Sequence, residues 1–379
     1  MDRGGDASLL RRLNTAAALR VVRAREEVTV PELAGLIGVS RPTAQDLTAQ
    51  LLREGRLVEL EASSGAVGRP ARRFRFRAEA GHVVGVDIGA HKVLVHAVDL
   101  LGRTVAAQRV VVTPAMTARR RLMAVRGAIE ACLAKPEAAG VRPLATGIGT
   151  SGMVDLAGRV VRSTALPGWT GLDLGHELAD CAPGPVLVGN DIQLATLAEC
   201  AGGVAVGVRD AIYLYVGNRP GIGLWLHGRL HRGNGGAAGE LLPPDGWSAA
   251  YRRLLDWAAG HQGDELPTRN SAARAVVQAA AAGDGGARYA LRAFAESLAE
   301  CLAPHVAALD PELVVLGGGI SRAGALLSEP FAAELAGRCP NAPSVRNSAL
   351  GEESTAIGAA RLALEHIDHA VQKSPTAQD

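Results

Sequence analysis

The chain has 379 residues, a hydrophobic share of 48% and a formal net charge of +2, which is enough apolar material for two or three domains and gives no overall field toward an acidic partner. Its five cysteines (Cys132, Cys181, Cys200, Cys301 and Cys339) lie at least 19 residues apart without a CxxC, which argues against a disulfide framework and the usual zinc spacings. No apolar run reaches about 18 residues and no signal-peptide core is present, so the expectation is a cytoplasmic protein with no membrane partner.

Charge is unevenly spread. Residues 1–80 carry 14 Arg against ten acids, and residues 41–77 carry eight Arg against four. A local basic excess is a footprint for an acidic partner such as nucleic acid. Leu10, Leu13, Ala17 and Val21 recur at helical spacing and predict a first amphipathic helix. Val30, Leu33, Ala34 and Ile37 predict a second, short one, with Pro31 tolerated in its first turn. Gly38-Val39-Ser40 predicts a tight turn in which Ser40 caps a third helix. Ala44, Leu47 and Leu51 form that helix's buried stripe, and it ends near Gly55. Two short helices joined by a glycine turn have the form of a helix-turn-helix.

The third helix carries Arg41, Thr43, Gln45 and Asp46 beside its buried stripe, at the end that meets base edges in the major groove. Arginine reads guanine bidentately and glutamine reads adenine. Strands at 57–60 and around Phe74 and Phe76 predict a wing with Arg69, Pro70 and Arg72 near its tip, where an arginine fits a narrow minor groove. With Ser40, these are the candidate contacts to a double-stranded DNA operator, and 8–78 is the expected DNA-binding domain. The alternative is a winged helix used for protein contacts, its basic wing simply solvated.

From His82 the pattern changes to mixed α/β. Strands are predicted at 83–88, ending Asp87-Ile88-Gly89, then at 93–98 and 104–112 as a meander. A helix follows over 117–133, then a strand at 144–150 and a loop at 151–155. A strand at 185–188 ends in Gly189-Asn190-Asp191 and leads into a helix from Leu194. A strand at 211–216 opens a stretch, 216–240, in which eight of 25 residues are glycine and the last is Glu240. A strand at 313–316 runs into three glycines and a helix from about Ser321. The glycine stretch either floors a pocket, since glycine permits positive φ and close approach of backbone to a ligand, or is a run of hairpin turns without one.

Six motifs occur in one order behind the predicted winged helix: VGVDIGAHK (84–92), GIGTSGMVD (147–155), LPGW (166–169), GNDIQLATLAE (189–199), the glycine stretch 221–240 and LGGGI (316–320). In this order they resemble the ROK family of repressors, sugar-responsive regulators and bacterial sugar kinases. The resemblance implies a two-lobed, actin-like ATPase fold of the ribonuclease H-like kind over 82–368. Lobe one would take about 82–190 plus a C-terminal helix at about 352–367, and lobe two about 191–350. It further implies that Asp191, beside Asn190, stands where the kinases have the general base for a sugar hydroxyl, although Asp191 also reads as a helix cap. Glu240 matches the acid that holds sugar hydroxyls, and Gly152 and Trp169 lie in matching ligand loops.

The departures from the family are equally specific. The first phosphate loop reads Asp87-Ile88-Gly89-Ala90-His91-Lys92 where the family has DIGGTK. The second carries Pro220, Leu224 and Trp225 where the family has GTGIGGG. Proline removes a backbone N–H, and bulk opposes the close backbone approach on which a phosphate cradle depends. Ala165 replaces a sugar-binding Asn, Pro243 replaces a His, and residues 241–260 contain neither Cys nor His for the family's zinc.

The expectation is therefore a DNA-binding transcriptional regulator, a repressor and not an enzyme, with Asp191 a vestigial base. It would have no cofactor and no metal, with a sugar or sugar-derived effector as a candidate ligand, and form a homo-oligomer, a dimer or tetramer, a dimer placing two recognition helices about one DNA turn apart. The alternatives are a sugar kinase with an appended winged helix, and a regulator whose body is a ligand-dead scaffold.

Overall fold

A computed structural model describes residues 4–61, 71–217, 220–240, 245–261 and 269–373. The chain begins with α1 (Gly4–Arg23), β1 (Val28–Thr29), α2 (Val30–Ile37), α3 (Arg41–Arg53), β2 (Leu57–Leu60) and β3 (Arg73–Phe76), and the strands pair antiparallel in the order β1-β3-β2. Local chemistry sets these boundaries. Thr29 and Glu32 form a reciprocal capping box at the start of α2, and Gly38 ends it at φ 71°, a left-handed position that suits glycine. Ser40 caps α3 through the Thr43 N–H. Leu33, Leu47, Leu51, Leu57, Phe74 and Phe76 close one buried cluster between helices and sheet.

The first helix differs from expectation. Leu10 and Leu13 are 59% and 58% exposed, while Thr15, Ala18, Leu19 and Val22 are the buried face. Two stripes on α1 have helical periodicity, and packing against α2, α3 and β3, not the local pattern, selects between them.

The first large sheet is built from β4 (His82–Ile88), β5 (Lys92–Asp99), β6 (Thr104–Val111), β7 (Pro143–Thr150) and β10 (Val186–Asn190), with α4 (Ala118–Leu133) crossing between β6 and β7. A short pair, β8 (Met153–Val154) and β9 (Val160–Arg162), and α5 (Leu174–Glu177) precede β10. The order is β10-β7-β4-β5-β6, an antiparallel meander with two parallel strands added beyond its first strand. After α6 (Asp191–Gly202) the same plan recurs. Strands β11 (Ala211–Tyr215), β12 (Gly221–Leu226), β13 (Arg229–His231), β14 (Leu313–Gly317) and β15 (Ser344–Asn347) pair in the order β13-β12-β11-β14-β15. Helices α7 (Asp245–Ala259), α8 (Arg269–Ala281) and α9 (Gly285–Leu309) lie between β13 and β14, and α10 (Ala325–Arg338) precedes β15. A 3-10 turn at Gly319–Ala323 stands where a helix was expected from Ser321, and α10 begins only after Gly324, whose φ is 58°. Each sheet has its own apolar core, so the body has two lobes.

The last helix, α11 (Ser354–Lys373), returns to the first sheet and crosses α6. Glycines make that approach possible. A Cβ on Gly85 would lie 2.1 Å from Ala356 O, and one on Gly147 1.8 Å from Ala359 O. The core of the N-terminal unit is continuous with this region, since Leu19, Val22 and Phe76 share a cluster with Val83, Ala360 and Leu364. Arg23 Nη1 pairs with Asp368 Oδ2 at 2.6 Å, and the Arg23 guanidinium carbon lies 4.9 Å from the centre of the Phe76 ring. No described helix is long and apolar enough to cross a membrane.

Candidate functional site

The cleft is organised at the start of α6. Asn190 caps the helix, its Oδ1 accepting from Ile192 N at 2.9 Å and Gln193 N at 3.0 Å. Its Nδ2 donates to Gly152 O at 2.9 Å and Asp191 Oδ1 at 3.1 Å. Asp191 Oδ2 accepts from Ser151 Oγ at 2.6 Å. Burial pushes the Asp191 carboxyl up to about 6, against the hydrogen bonds from Ser151 and Ile192, and the Glu240 charge adds to the rise. Asn190, Asp191 and Gly152 are thus brought together, with Glu240 within electrostatic reach. Gln193 fixes the loop that carries Glu240, donating from Nε2 to Gly236 O at 3.0 Å and Ala238 O at 3.2 Å. Ser151 and Gln193 were not among the expected site residues. The motif strings contain both, but only the folded helix start shows what they hold.

Trp169 is a correction. It is wholly buried in the core of the first lobe, with Nε1 donating to Thr150 Oγ1 at 2.9 Å. It braces the strand end before Ser151 from behind and has no surface for a ligand. Leu224 and Trp225 also differ from expectation. Both lie within β12, Leu224 in the helix-covered core and Trp225 with Nε1 bonded to Val208 O at 3.1 Å, so neither crowds the phosphate loop. Of the three departures expected there, Pro220 alone sits in the loop before β12.

On the other side of the cleft, Asp87 is 6% exposed and burial pushes its carboxyl up to about 7, although Lys92 opposes this. Lys92 Nζ donates to Glu352 O at 2.5 Å and lies 3.7 Å from Asp87 Oδ2. The Glu352 carboxylate also pairs with Arg109 at 3.0 Å and with Arg322, so two lobe-one cations and a lobe-two cation meet one acid. The wholly buried Arg121 donates to Gly89 O at 2.6 Å and Thr113 O at 2.8 Å, pinning the first loop from beneath. The Tyr251 hydroxyl on α7 holds Gly217 O at the start of the second loop. Lys92 and the neighbouring arginines are thus engaged internally, while Gly89 O and Gly217 O are held in place by side-chain donors. The family's zinc does not fit, because residues 241–260 supply no Cys or His.

Asp87 gives a pH prediction. Its carboxyl keeps a proton in the folded state from about pH 4 to about 7 that the unfolded chain has released. This contribution to stability is full below the unfolded value and falls as pH rises through 7. Asp87→Asn carries no such group. Its melting temperature relative to wild type should therefore rise between about pH 5 and pH 8; a constant or falling difference would contradict the buried carboxyl.

In the N-terminal unit Ser40, Arg41, Gln45 and Asp46 are exposed and Thr43 is half-buried, with the Ser40 and Thr43 hydroxyls 2.8 Å apart. Arg72 is engaged by both carboxylate oxygens of Glu59 and lies 5.4 Å from the centre of the Phe74 ring. Arg73 pairs with Glu27 at 2.8 Å. Among the described residues, Arg72, Arg73 and Arg75 are each matched by an acid that the charge count alone did not place. Arg69 and Pro70 lie outside the described residues.

A model of the ROK family matches residues 83–241 and 249–366. The bifunctional enzyme NanE/NanK of Brucella melitensis is 33% identical over 302 residues, covering 75% of this chain and 54% of that protein, so the chain spans about half of that relative. The xylose repressor of Caldicellulosiruptor bescii is 23% identical over 86% of this chain and 88% of its own length. The crystal structure of a ROK family transcriptional regulator, a homolog of the E. coli MLC protein, superposes with a TM-score of 0.76 at 18% identity, covering 96% of this chain and 97% of that one, a likeness of fold. With its duplicated sheets, its Asn190-Asp191 helix start and this match across both lobes, the chain belongs to the ROK family and has the mixed α/β, actin-like sugar-kinase fold of that family.

Proposed function

We propose that the protein is a DNA-binding transcriptional regulator, acting as a repressor, whose ROK body binds a sugar or sugar-derived effector without phosphorylating it. In this reading residues 8–78 form a winged helix-turn-helix with α3 as the recognition helix. The observation that carries it is the exposed Arg41, Gln45 and Asp46 at the N-terminal end of α3, while Ala44, Leu47 and Leu51 are buried behind them. Similarity to a xylose repressor over 86% of the chain, more than the body alone occupies, supports the same reading. A homodimer would present two such helices to a two-fold symmetric operator.

One observation favours a sugar kinase instead. The hydrogen-bonded Asp191, its carboxyl raised toward neutrality, has the environment of a general base. Against it stand Pro220, which removes a backbone N–H from the second loop, and the internal engagement of Lys92. Coupled ADP-release assays with hexoses and N-acetylated amino sugars decide between them. No turnover is expected. Turnover abolished by Asp191→Asn would replace the regulator reading with the kinase.

A further inference from the structure

The floor of the second lobe carries a side chain for which the site as described has no use. Tyr215 is the last residue of β11, and in register it faces Gly221 on β12 and Gly317 on β14. It therefore stands where both glycine turns of that lobe begin, between neighbours that have no side chains. A Cβ on Gly221 would meet Ile192 Cδ1 at 2.5 Å, and one on Gly217 would meet the Tyr215 ring at 2.4 Å and its hydroxyl at 3.0 Å. Ile192 follows Asp191 and shares an apolar cluster with Tyr215, so the ring is wedged beside the residue that begins α6. Tyr213, two residues earlier on the same face, is 2% exposed, and Ser348 and Ser354 hydrogen-bond its hydroxyl. Tyr215 is only half-buried, and its hydroxyl makes no hydrogen bond among the described residues. The Asp191 and Asp87 charges both bear on this phenol, holding its proton on beyond the effect of burial.

The surrounding chemistry selects the ligand. Asp191, Glu240 and Asp87 supply acceptors, which suit the hydroxyl donors of a polyol and repel a phosphate. The nearby cations of the described residues are committed elsewhere: Lys92, Arg109 and Arg322 to Glu352, Arg232 to Asp155 O, and Arg121 to Gly89 O and Thr113 O. A phenol can both donate to and accept from a sugar hydroxyl while its ring blocks the way across the cleft. We propose that Tyr215 is a ligand-binding residue that separates the sugar half of the cleft from the nucleotide half and hydrogen-bonds a neutral polyol, so that the pocket takes unphosphorylated sugars over sugar phosphates.

This rests on the effector reading above, and calorimetry on the full chain separates the two. Glucose, xylose, N-acetylglucosamine and glucose 6-phosphate would be titrated into wild type, Tyr215→Phe and Asp191→Asn, with circular dichroism to check folding. At least one neutral sugar should bind wild type, and glucose 6-phosphate should bind at least about tenfold more weakly than it. Tyr215→Phe keeps the ring and loses one hydrogen bond, so its Kd for that sugar should rise about three- to tenfold. Asp191→Asn should abolish binding. Wild-type affinity in Tyr215→Phe alongside loss in Asp191→Asn would overturn the role of Tyr215 and leave the pocket standing. Tighter binding of glucose 6-phosphate would overturn the selection. Binding of no neutral sugar to wild type would overturn the effector reading and the proposal with it.

Discussion

Replacing Gly358 with alanine is expected to lower the thermal midpoint by about 2–5 °C or to abolish a cooperative transition. A Cβ at this position would lie 1.8 Å from the carbonyl oxygen of Leu194. The obstacle is the backbone of α6 and not the end of a flexible side chain, so the two helices must move apart. They have little freedom to do so, because α11 is held from the first sheet through Gly147, where a Cβ would lie 1.8 Å from Ala359 O. Gly127→Ala is the control. It lies within α4 with nothing within 4 Å of an added Cβ, and it should stabilise by up to about 1 kcal/mol through helix propensity. Equal melting temperatures for the two variants would show that α6 and α11 are not packed as described.

The close crossing matters because α11 touches both the start of α6 and the N-terminal unit. Near its start, Thr355 Oγ1 donates to Asp191 O at 3.2 Å, the main chain of the residue that begins α6 in the cleft. Near its end, Asp368 holds Arg23, which lies over Phe76 of β3. Ala360, Ala363 and Leu364 between them enter the core of the N-terminal unit. A ligand at Asp191 shifts the N-terminal unit only if it binds two arrangements of this helix with different affinity.

Much of this was legible in the sequence for definite reasons. The α2 and α3 boundaries could be read because their caps are local, Thr29 with Glu32 and Ser40 with Thr43. The meander β4-β5-β6 and the strand ends at Asp87 and Asn190 were legible because apolar runs stop at polar or glycine turns. The helices α8 and α9 are hard to read from sequence because they are alanine-rich with weak polar contrast. The buried face of α1 was misread because two apolar stripes compete there. The family resemblance puts Trp169 in a ligand loop, yet an indole that satisfies Nε1 on Thr150 gains more from the core. Charge counting shows the basic excess of 41–77 but not its partners Glu59 and Glu27, whose pairing depends on which segments become neighbours.

That pairing separates two arginines that look alike in sequence, and it gives the second large effect. Arg41 is exposed at the tip of α3 and has no ion pair among the described residues. On a duplex selected by the wild-type protein from random sequence, Arg41→Ala should weaken binding roughly tenfold to a hundredfold, because a bidentate base contact is worth about 1–3 kcal/mol. Affinity for unrelated duplexes should fall much less. Arg72 is already engaged by Glu59 and lies against Phe74, so a contact from it to DNA must first break an existing pair. Arg72→Ala should therefore change affinity by less than about threefold and leave the salt dependence as it was. A salt slope smaller by about one would show Arg72 leaving Glu59 for a phosphate. Wild-type affinity in Arg41→Ala would remove α3 as the reading helix, because the exposed end of α3 is where a base contact has to come from.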